Sequence, residues 1–357
     1  MSNKSNSSKI SNAPTPLSLG YHMPAEWEPH EATWLSWPTN EITWPKHVPQ
    51  VQEIFLQMIT FLTSGEKVCL LVDDKQTQDK VSEKLLSRGV DIKQVHFFQQ
   101  PTVDSWIRDY GPIFLTSSTQ LAYTKWIFNA WGGKYDDLAE DNNVFDNVSA
   151  QLAYEKFSVD FVLEGGSIDV NGCGTLLTTE QCLLNTNRNN QLSQKQKEKI
   201  LSDYLGVTNF IWLEEGIVGD DTDGHIDDIA RFVNSKTVVC ALEEDPKDEN
   251  YDLLQKNMNR LKSASDQDGN KLNIVTLPMP AKVMGPEGRL PASYANFYIG
   301  NKEVLVPLFE DRNDKMAIST LEGLFPDKQV RGIQCKSLVL GLGAIHCVTQ
   351  QQPQMNC

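Results

Sequence analysis

The stretch Gly341–Pro353, GLGAIHCVTQQQP, lies close to the C-terminus and is where the reading of this chain begins. A mostly apolar run, Ser337 to Leu340, meets two glycines there, followed by His346, Cys347, Thr349, three glutamines and a proline. A strand running into a glycine-rich turn can project one side chain into a cleft, because glycine permits positive φ and close backbone approach. Here that side chain would be Cys347. The plainer alternative is a small buried hydrophobe, the usual fate of a free cysteine. The rest of the chain has to decide between them.

The chain has 357 residues, 40% hydrophobic and 22% charged, a globular composition with room for a large core. A formal net charge of −15 disfavours nucleic acid and anionic membrane surfaces and favours cationic ligands. The seven cysteines are odd in number and lack zinc-finger or CxxC spacing, which fits reduced cytoplasmic thiols better than a disulfide framework. Residues 1–20, rich in Ser, Asn, Pro and Lys, read as a disordered leader without the apolar core of a signal peptide. No window holds 18 consecutive apolar residues, so no membrane-spanning helix is expected. Residues 21–357 are expected to form one catalytic domain.

Along the chain, short apolar strands alternate with amphipathic helices. MPAEWEPHEATWLSWP, from Met23 to Pro38, carries three tryptophans, which serve either as core packing or as one wall of a cleft. Val51–Thr63 repeats apolar residues at helical spacing, and Gln78–Arg88 does the same with Gly89 as its stop. Further strands are expected at residues 121–131, 157–163, 210–213, 238–242 and 271–277. Cys182 to Asn185 is expected to pair as a strand. Residues 292–299 and 303–307 look like a hairpin about Gly300-Asn301. Such alternation points to α/β or α+β architecture. Nothing resembles GxGxxG or a P-loop, so no nucleotide cofactor is expected.

Three loops stand out between these elements. WIRDYGP places Trp106, Arg108 and Asp109 at a Gly-Pro turn, where the two charges could simply pair with each other. Glu164 ends a strand beside Gly165 and Gly166, where loops carry function. GDDTDGHIDDIARFV packs five aspartates and His225 between Asp220 and Asp228. Setting Gly224 as the sixth position of an EF-hand puts Gly219 first and Ala230 twelfth, so the required acids are missing. A zinc-protease motif lacks its second histidine. If Ile226–Val233 is a strand, His225 and Asp227 share one face.

A Cys-His pair suggests a thiolate nucleophile. Several carboxylates around it would raise the thiol's pKa and blunt it, unless the substrate is itself a cation. A guanidinium fits, being planar, permanently charged and matched to carboxylate forks. Opposite charges ~4 Å apart at an effective dielectric near 20 attract by about 4 kcal/mol, so two such contacts would position the group.

On these residues the chain resembles the agmatine deiminase family of the guanidine-modifying pentein superfamily, with the bacterial type of peptidyl-arginine deiminase as its nearest relative. The matching blocks are MPAEWEPHEATWLSWP, WIRDYGP, EGGSIDVNG, TTEQCLLNTNRN, GDDTDGHIDDIARF, PASYANFYIGN and GAIHCVTQQQP, in family order across residues 21–353. The resemblance implies an α/β fold, a five-fold pseudosymmetric α/β propeller. It also implies hydrolysis of agmatine to N-carbamoylputrescine and ammonia through a covalent amidino-cysteine intermediate, in putrescine biosynthesis or agmatine degradation, with no cofactor and no metal. By the family's pattern Cys347 is the nucleophile and His225 the general acid/base. Asp109 and Asp227 grip the guanidinium, Glu164 balances charge and orients, Trp106 lines the pocket, and Asp221 contacts the distal amine. Leu342, where the family often has glycine, and Ala344 depart from the pattern and could reshape the nucleophile's turn. The assembly state is open, and a homo-oligomer is compatible with the sequence. The alternatives are a deiminase of free or peptidyl arginine and a non-catalytic polyamine-binding protein.

Overall fold

A computed structural model describes residues 14–355 of the chain. The expected leader lies outside the described residues up to position 13. Its remainder is ordered: Leu17–Leu19 form a 3-10 turn, closed by Gly20 with φ 83°. Cys357 also lies outside the described residues.

One unit repeats through the fold. An antiparallel pair of strands is followed by a helical crossover to a third strand, parallel to the second. Strands Ile113–Thr116, Leu121–Ile127 and Glu155–Val162 make the first such sheet. Asp169–Val170, Thr175–Thr179 and Asn209–Leu213 make the next, with the helix Gln194–Leu205 as crossover. Ala230–Asn234, Thr237–Leu242 and Asn273–Pro278 follow, joined through Tyr251–Ser263. Tyr298–Ile299, Glu303–Leu308 and Gln329–Gln334 make the fourth, joined through Asp314–Leu324.

The fifth sheet is closed by the two ends of the chain. Gln350–Pro353 pairs antiparallel with His30–Ser36, which runs parallel to Lys67–Val72 and then Val95–Gln99. Parallel neighbours need a long crossover, and helices supply it. The five-fold repetition is therefore visible in the strand pairing, although the sequence carries no obvious repeat.

The helices form for local reasons. Val48–Leu62 turns Val51, Ile54, Phe55, Met58, Ile59 and Leu62 inward at helical spacing. Asp74 caps Lys75–Ser87 by accepting from the Thr77 N–H at 2.7 Å. Ser193 and Gln196 form a capping box on Gln194–Leu205, and Gly206 closes that helix at φ 72°.

Several sequence expectations change. Cys182 lies in a helical turn, Glu180–Leu183, not a strand, because the Thr179 hydroxyl accepts from the Cys182 N–H and starts a helix. The strand from Leu121 stops at Ile127, and Trp131 lies beyond it. Of the expected strand 292–299, only Tyr298–Ile299 pairs. Val339–Gly341 is a 3-10 turn rather than a strand, and the strand follows Cys347 instead of preceding it.

This topology positions the site. Asp109, Glu164, Asp227, Asn296 and Cys347 each sit in the turn just before the first strand of a different unit. Five equivalent turns thus each contribute one polar side chain.

Candidate active site

Cys347 occupies the turn before Gln350–Pro353 and is 8% exposed. Its position depends on close approach. A Cβ on Gly343 would lie 2.5 Å from the Trp106 ring and 3.1 Å from the Cys347 Cβ, so only glycine fits between indole and nucleophile. Asn296 clamps the same turn. Its side-chain carbonyl accepts from the His346 N–H at 2.9 Å, and its amide nitrogen lies 3.1 Å from the Cys347 sulfur. It was quoted above only within a block, and no role was drawn for it. Its place in the fourth of the five equivalent turns is the signal that could have found it.

Asp227 Oδ2 lies 3.7 Å from the Cys347 sulfur. His225 and Asp227 do come together, but not on a strand face. Ile226–Asp228 is a 3-10 turn, and the strand begins only at Ala230. His225 Nδ1 lies 3.8 Å from Asp109 Oδ1. The space at their centre is kept open by Gly166. A Cβ there would meet His225 Nδ1 at 2.6 Å, Asp109 at 2.9 Å and Asp227 at 3.1 Å. Asp109 is fixed by donors, accepting from the Gly166 N–H and from the Trp131 indole N–H, each at 2.9 Å.

Arg108 does not pair with Asp109. It donates to the side-chain carbonyls of Gln350 and Gln351, each at 2.7 Å, and lies 3.4 Å from Glu26. Two of the three glutamines thus serve to anchor the nucleophile's strand. His346, the neighbour of Cys347, lies between two carboxylates, with Nδ1 2.7 Å from Asp227 and Nε2 2.8 Å from Glu26. Glu26 comes from the tryptophan-rich stretch. Trp34 and Trp37 there are buried core packing, Trp34 against Phe98 and edge-on to Phe145, Trp37 edge-on to Phe55, so the packing reading holds for these two.

Glu164 is fully buried, and both its oxygens accept from Arg188 Nε, at 2.8 and 3.0 Å. Glu164, Cys182 and a ring nitrogen of His225 lie within 4.8 Å of one another. Those are ligand types, but Arg188 already neutralises the carboxylate. The group therefore reads as the backing of His225.

Trp106, Asp109, Asp221 and Cys347 line one cavity of about 640 Å³, whereas Asp227, His225 and Glu164 are not among its lining residues. Trp131 and Tyr135 also line it, and neither was anticipated from the sequence. Among the described residues, six carboxylates border this cavity and no lysine or arginine does.

Charge follows from burial. Burial pushes the Cys347 thiol well above its ordinary range, and Asp227, Asp228 and Asp109 push it further. Burial alone would lower His225, but Asp109, Cys182 and Asp227 outweigh it and hold the imidazole well above its usual value. Burial raises Asp109 despite His225, while His346 keeps Asp227 low against its burial. Burial and the neighbouring Asp227 push Asp228 well up. These directions favour the protonated form of both the Cys347 thiol and the His225 imidazole.

The profile of the Porphyromonas-type peptidyl-arginine deiminase family matches residues 22–353. The chain belongs to that family. Among relatives of this deiminase family, a Legionella pneumophila protein provisionally named agmatine deiminase is 39% identical, over 95% of this chain and 97% of its own. The agmatine deiminase of Enterococcus faecalis superposes with a TM-score of 0.89 at 33% identity, covering 97% of this chain and 99% of that one. A cysteine-to-serine variant of C. jejuni agmatine deiminase, solved with substrate bound, gives 0.84 at 33% identity, covering 94% and 96%. At 12% identity and a TM-score of 0.53, an amidinotransferase of Microseira wollei shares the fold. The α/β pentein fold expected from the sequence is thus the one observed.

Proposed function

We propose that this deiminase-family protein hydrolyses agmatine to N-carbamoylputrescine and ammonia through a covalent adduct on Cys347. The observation that carries this reading is the cavity lining: six carboxylates, a cysteine, and no fixed cation. A substrate with a guanidinium at one end and an ammonium at the other complements it. The α-carboxylate of arginine would find no positive partner there, which disfavours free arginine.

In this reading Asp109 and Asp227 hold the guanidinium with its carbon against the Cys347 sulfur. The arriving positive charge offsets the three carboxylates that hold the thiol protonated, and the thiol gives up its proton to solvent in the cavity, which Cys347 lines. Asn296 Nδ2 supplies a hydrogen bond to the resulting thiolate. The sulfur forms a bond to the guanidinium carbon. His225, charged at rest, protonates the departing nitrogen as the C–N bond breaks, and ammonia leaves. An S-alkylthiouronium remains. Neutral His225 then takes a proton from water, whose oxygen attacks the same carbon. The C–S bond breaks, the hydroxyl proton of the adduct returns to the departing thiolate, and the neutral ureide is released with the thiol restored. Glu164 and Arg188 keep the back of His225 fixed, and Asp221 faces the distal amine. The product would enter putrescine formation or agmatine breakdown. The free cysteines, five of them buried, support a reducing, cytoplasmic setting.

The test is incubation of pure protein with agmatine, arginine and a blocked arginine peptide, each with EDTA, followed by mass spectrometry of small molecules and protein. N-carbamoylputrescine from agmatine, with a mass adduct on the Cys347 peptide, is expected. Citrulline from arginine without turnover of agmatine would overturn the substrate. No ureide from any guanidine would overturn the reaction.

A further inference from the structure

Four consecutive residues take positive φ: Ala130 at 52°, Trp131 at 54°, Gly132 at 89° and Gly133 at 75°. Together they make one turn of left-handed helix. For Ala and Trp that conformation brings Cβ against the following carbonyl, so a run of this kind persists only where the surroundings impose it. The surroundings here are specific. The Asn129 side-chain carbonyl accepts from the Gly132 N–H at 2.8 Å, and its amide donates to the Asn187 backbone carbonyl at 3.1 Å. The Asn187 amide donates in turn to Asp223 at 2.9 Å, and Lys134 pairs with Asp223 at 2.7 Å. Lys134 also donates to the backbone carbonyl of Asp221. The strained turn is thereby lashed to the loop that carries Asp221 and His225.

Its two aromatic side chains reach opposite parts of the cavity. The Trp131 indole donates to Asp109 at 2.9 Å. The Tyr135 hydroxyl donates to Asp221 at 2.5 Å, and its ring meets Trp131 edge to face, centroids 5.8 Å apart at 85°. Phe128 braces Trp131 from another side at 5.1 Å and 87°. One rigid segment therefore fixes both carboxylates in one frame.

We propose that the left-handed turn Ala130–Gly133, with Trp131 and Tyr135, is a molecular ruler. It sets the spacing between Asp109 and Asp221 and so selects linear α-amino-ω-guanidino substrates of one chain length. This rests on the proposed function, because it takes Asp109 as the guanidinium end and Asp221 as the ammonium end. Trp131 and Tyr135 are positioning residues acting through those carboxylates. The strain is kept because a relaxed loop would let the two carboxylates drift relative to each other.

The test uses calorimetric binding in the Cys347→Ser protein, where turnover does not interfere. The ligands are aminoalkylguanidines with three, four and five methylenes, and butylguanidine, which lacks the amine. The parent is expected to prefer one length by ~10-fold over its neighbours, the worth of a well-placed charged hydrogen bond. Tyr135→Phe, at a partly exposed position, should flatten that preference and lower the ratio of agmatine to butylguanidine affinity. Trp131→Phe should weaken all four ligands together, since it frees the guanidinium end. Equal affinity for all three lengths in the parent, or uniform weakening by Tyr135→Phe, would overturn the ruler while leaving the proposed function standing. Absence of binding to any guanidine would overturn the proposed function, and with it the ruler.

Discussion

Two groups of buried carboxylates sit a few ångströms apart and are treated in opposite ways. Behind the nucleophile's turn, Glu26 and Asp169 are met by cations of the protein itself. Arg231 lies 2.9 Å from Glu26 and 2.8 Å from Asp169, and Arg108 is at 3.4 Å. Glu26 stays low despite full burial, because Arg231, His346 and Arg108 outweigh desolvation. Around Cys347, Asp109, Asp227 and Asp228 have hydrogen-bond donors and histidines, and among the described residues no arginine forms an ion pair with them, although Arg231 acts on Asp227 from a distance. The first group is a closed ion network that holds turns together. The second lacks an ion pair to an arginine, and on the proposed function a substrate cation completes it. Arg188 places Glu164 with the first kind, although it neighbours the second.

The largest expected effect tests the second group. Asp109→Asn removes one of the contacts worth about 4 kcal/mol, so deimination of agmatine should fall ~10³-fold. The melting temperature should hold or rise, because a buried charge has gone. A large loss of stability would mean that Asp109 belongs to the closed network. Arg231→Met tests that network from the other side. It leaves Glu26 and Asp169 without their main partner and should cost roughly 3–5 kcal/mol in denaturant unfolding. A near-neutral result would show that the arginine is dispensable to folding.

A third prediction concerns the thiol. Its pKa is raised, so at pH 7 it is protonated and a neutral haloacetamide should alkylate Cys347 slowly, with a rate that climbs as pH rises through the alkaline range. A cationic haloacetamidine lowers that pKa as it docks and should react ~30-fold faster at neutral pH, about half the charge contact above expressed as a rate. Equal rates would remove the idea that the carboxylates await a cation. The smallest effect sits at Leu342, which holds φ 69° beside the cavity. Leu342→Gly should relieve the left-handed strain, offset by added freedom in the unfolded chain, for a net gain of about 0.5–1 kcal/mol. A loss would mean that the leucine's packing outweighs its strain.

The sequence by itself determined the class of fold and singled out most of the residues proposed to react. Short strands and amphipathic helices follow from periodicity, which local geometry dictates. Cys347, His225, Asp109 and Asp227 stood out because glycines and turns isolate them from that periodicity. Tertiary structure decided the rest. Asn296 read as part of a strand and His346 as an ordinary turn residue until strand pairing brought five separate turns together. Trp131 read as the end of a strand because nothing in its own letters announces a left-handed turn; Asn129 and Asn187 impose it from outside. Glu164 drew notice because its sequence neighbours are glycines, while the cation it meets, Arg188, arrives from another turn. Which buried carboxylates are neutralised and which are left open depends on side chains meeting across the fold. Coulomb interactions act through space, so that pattern is written only in the folded arrangement.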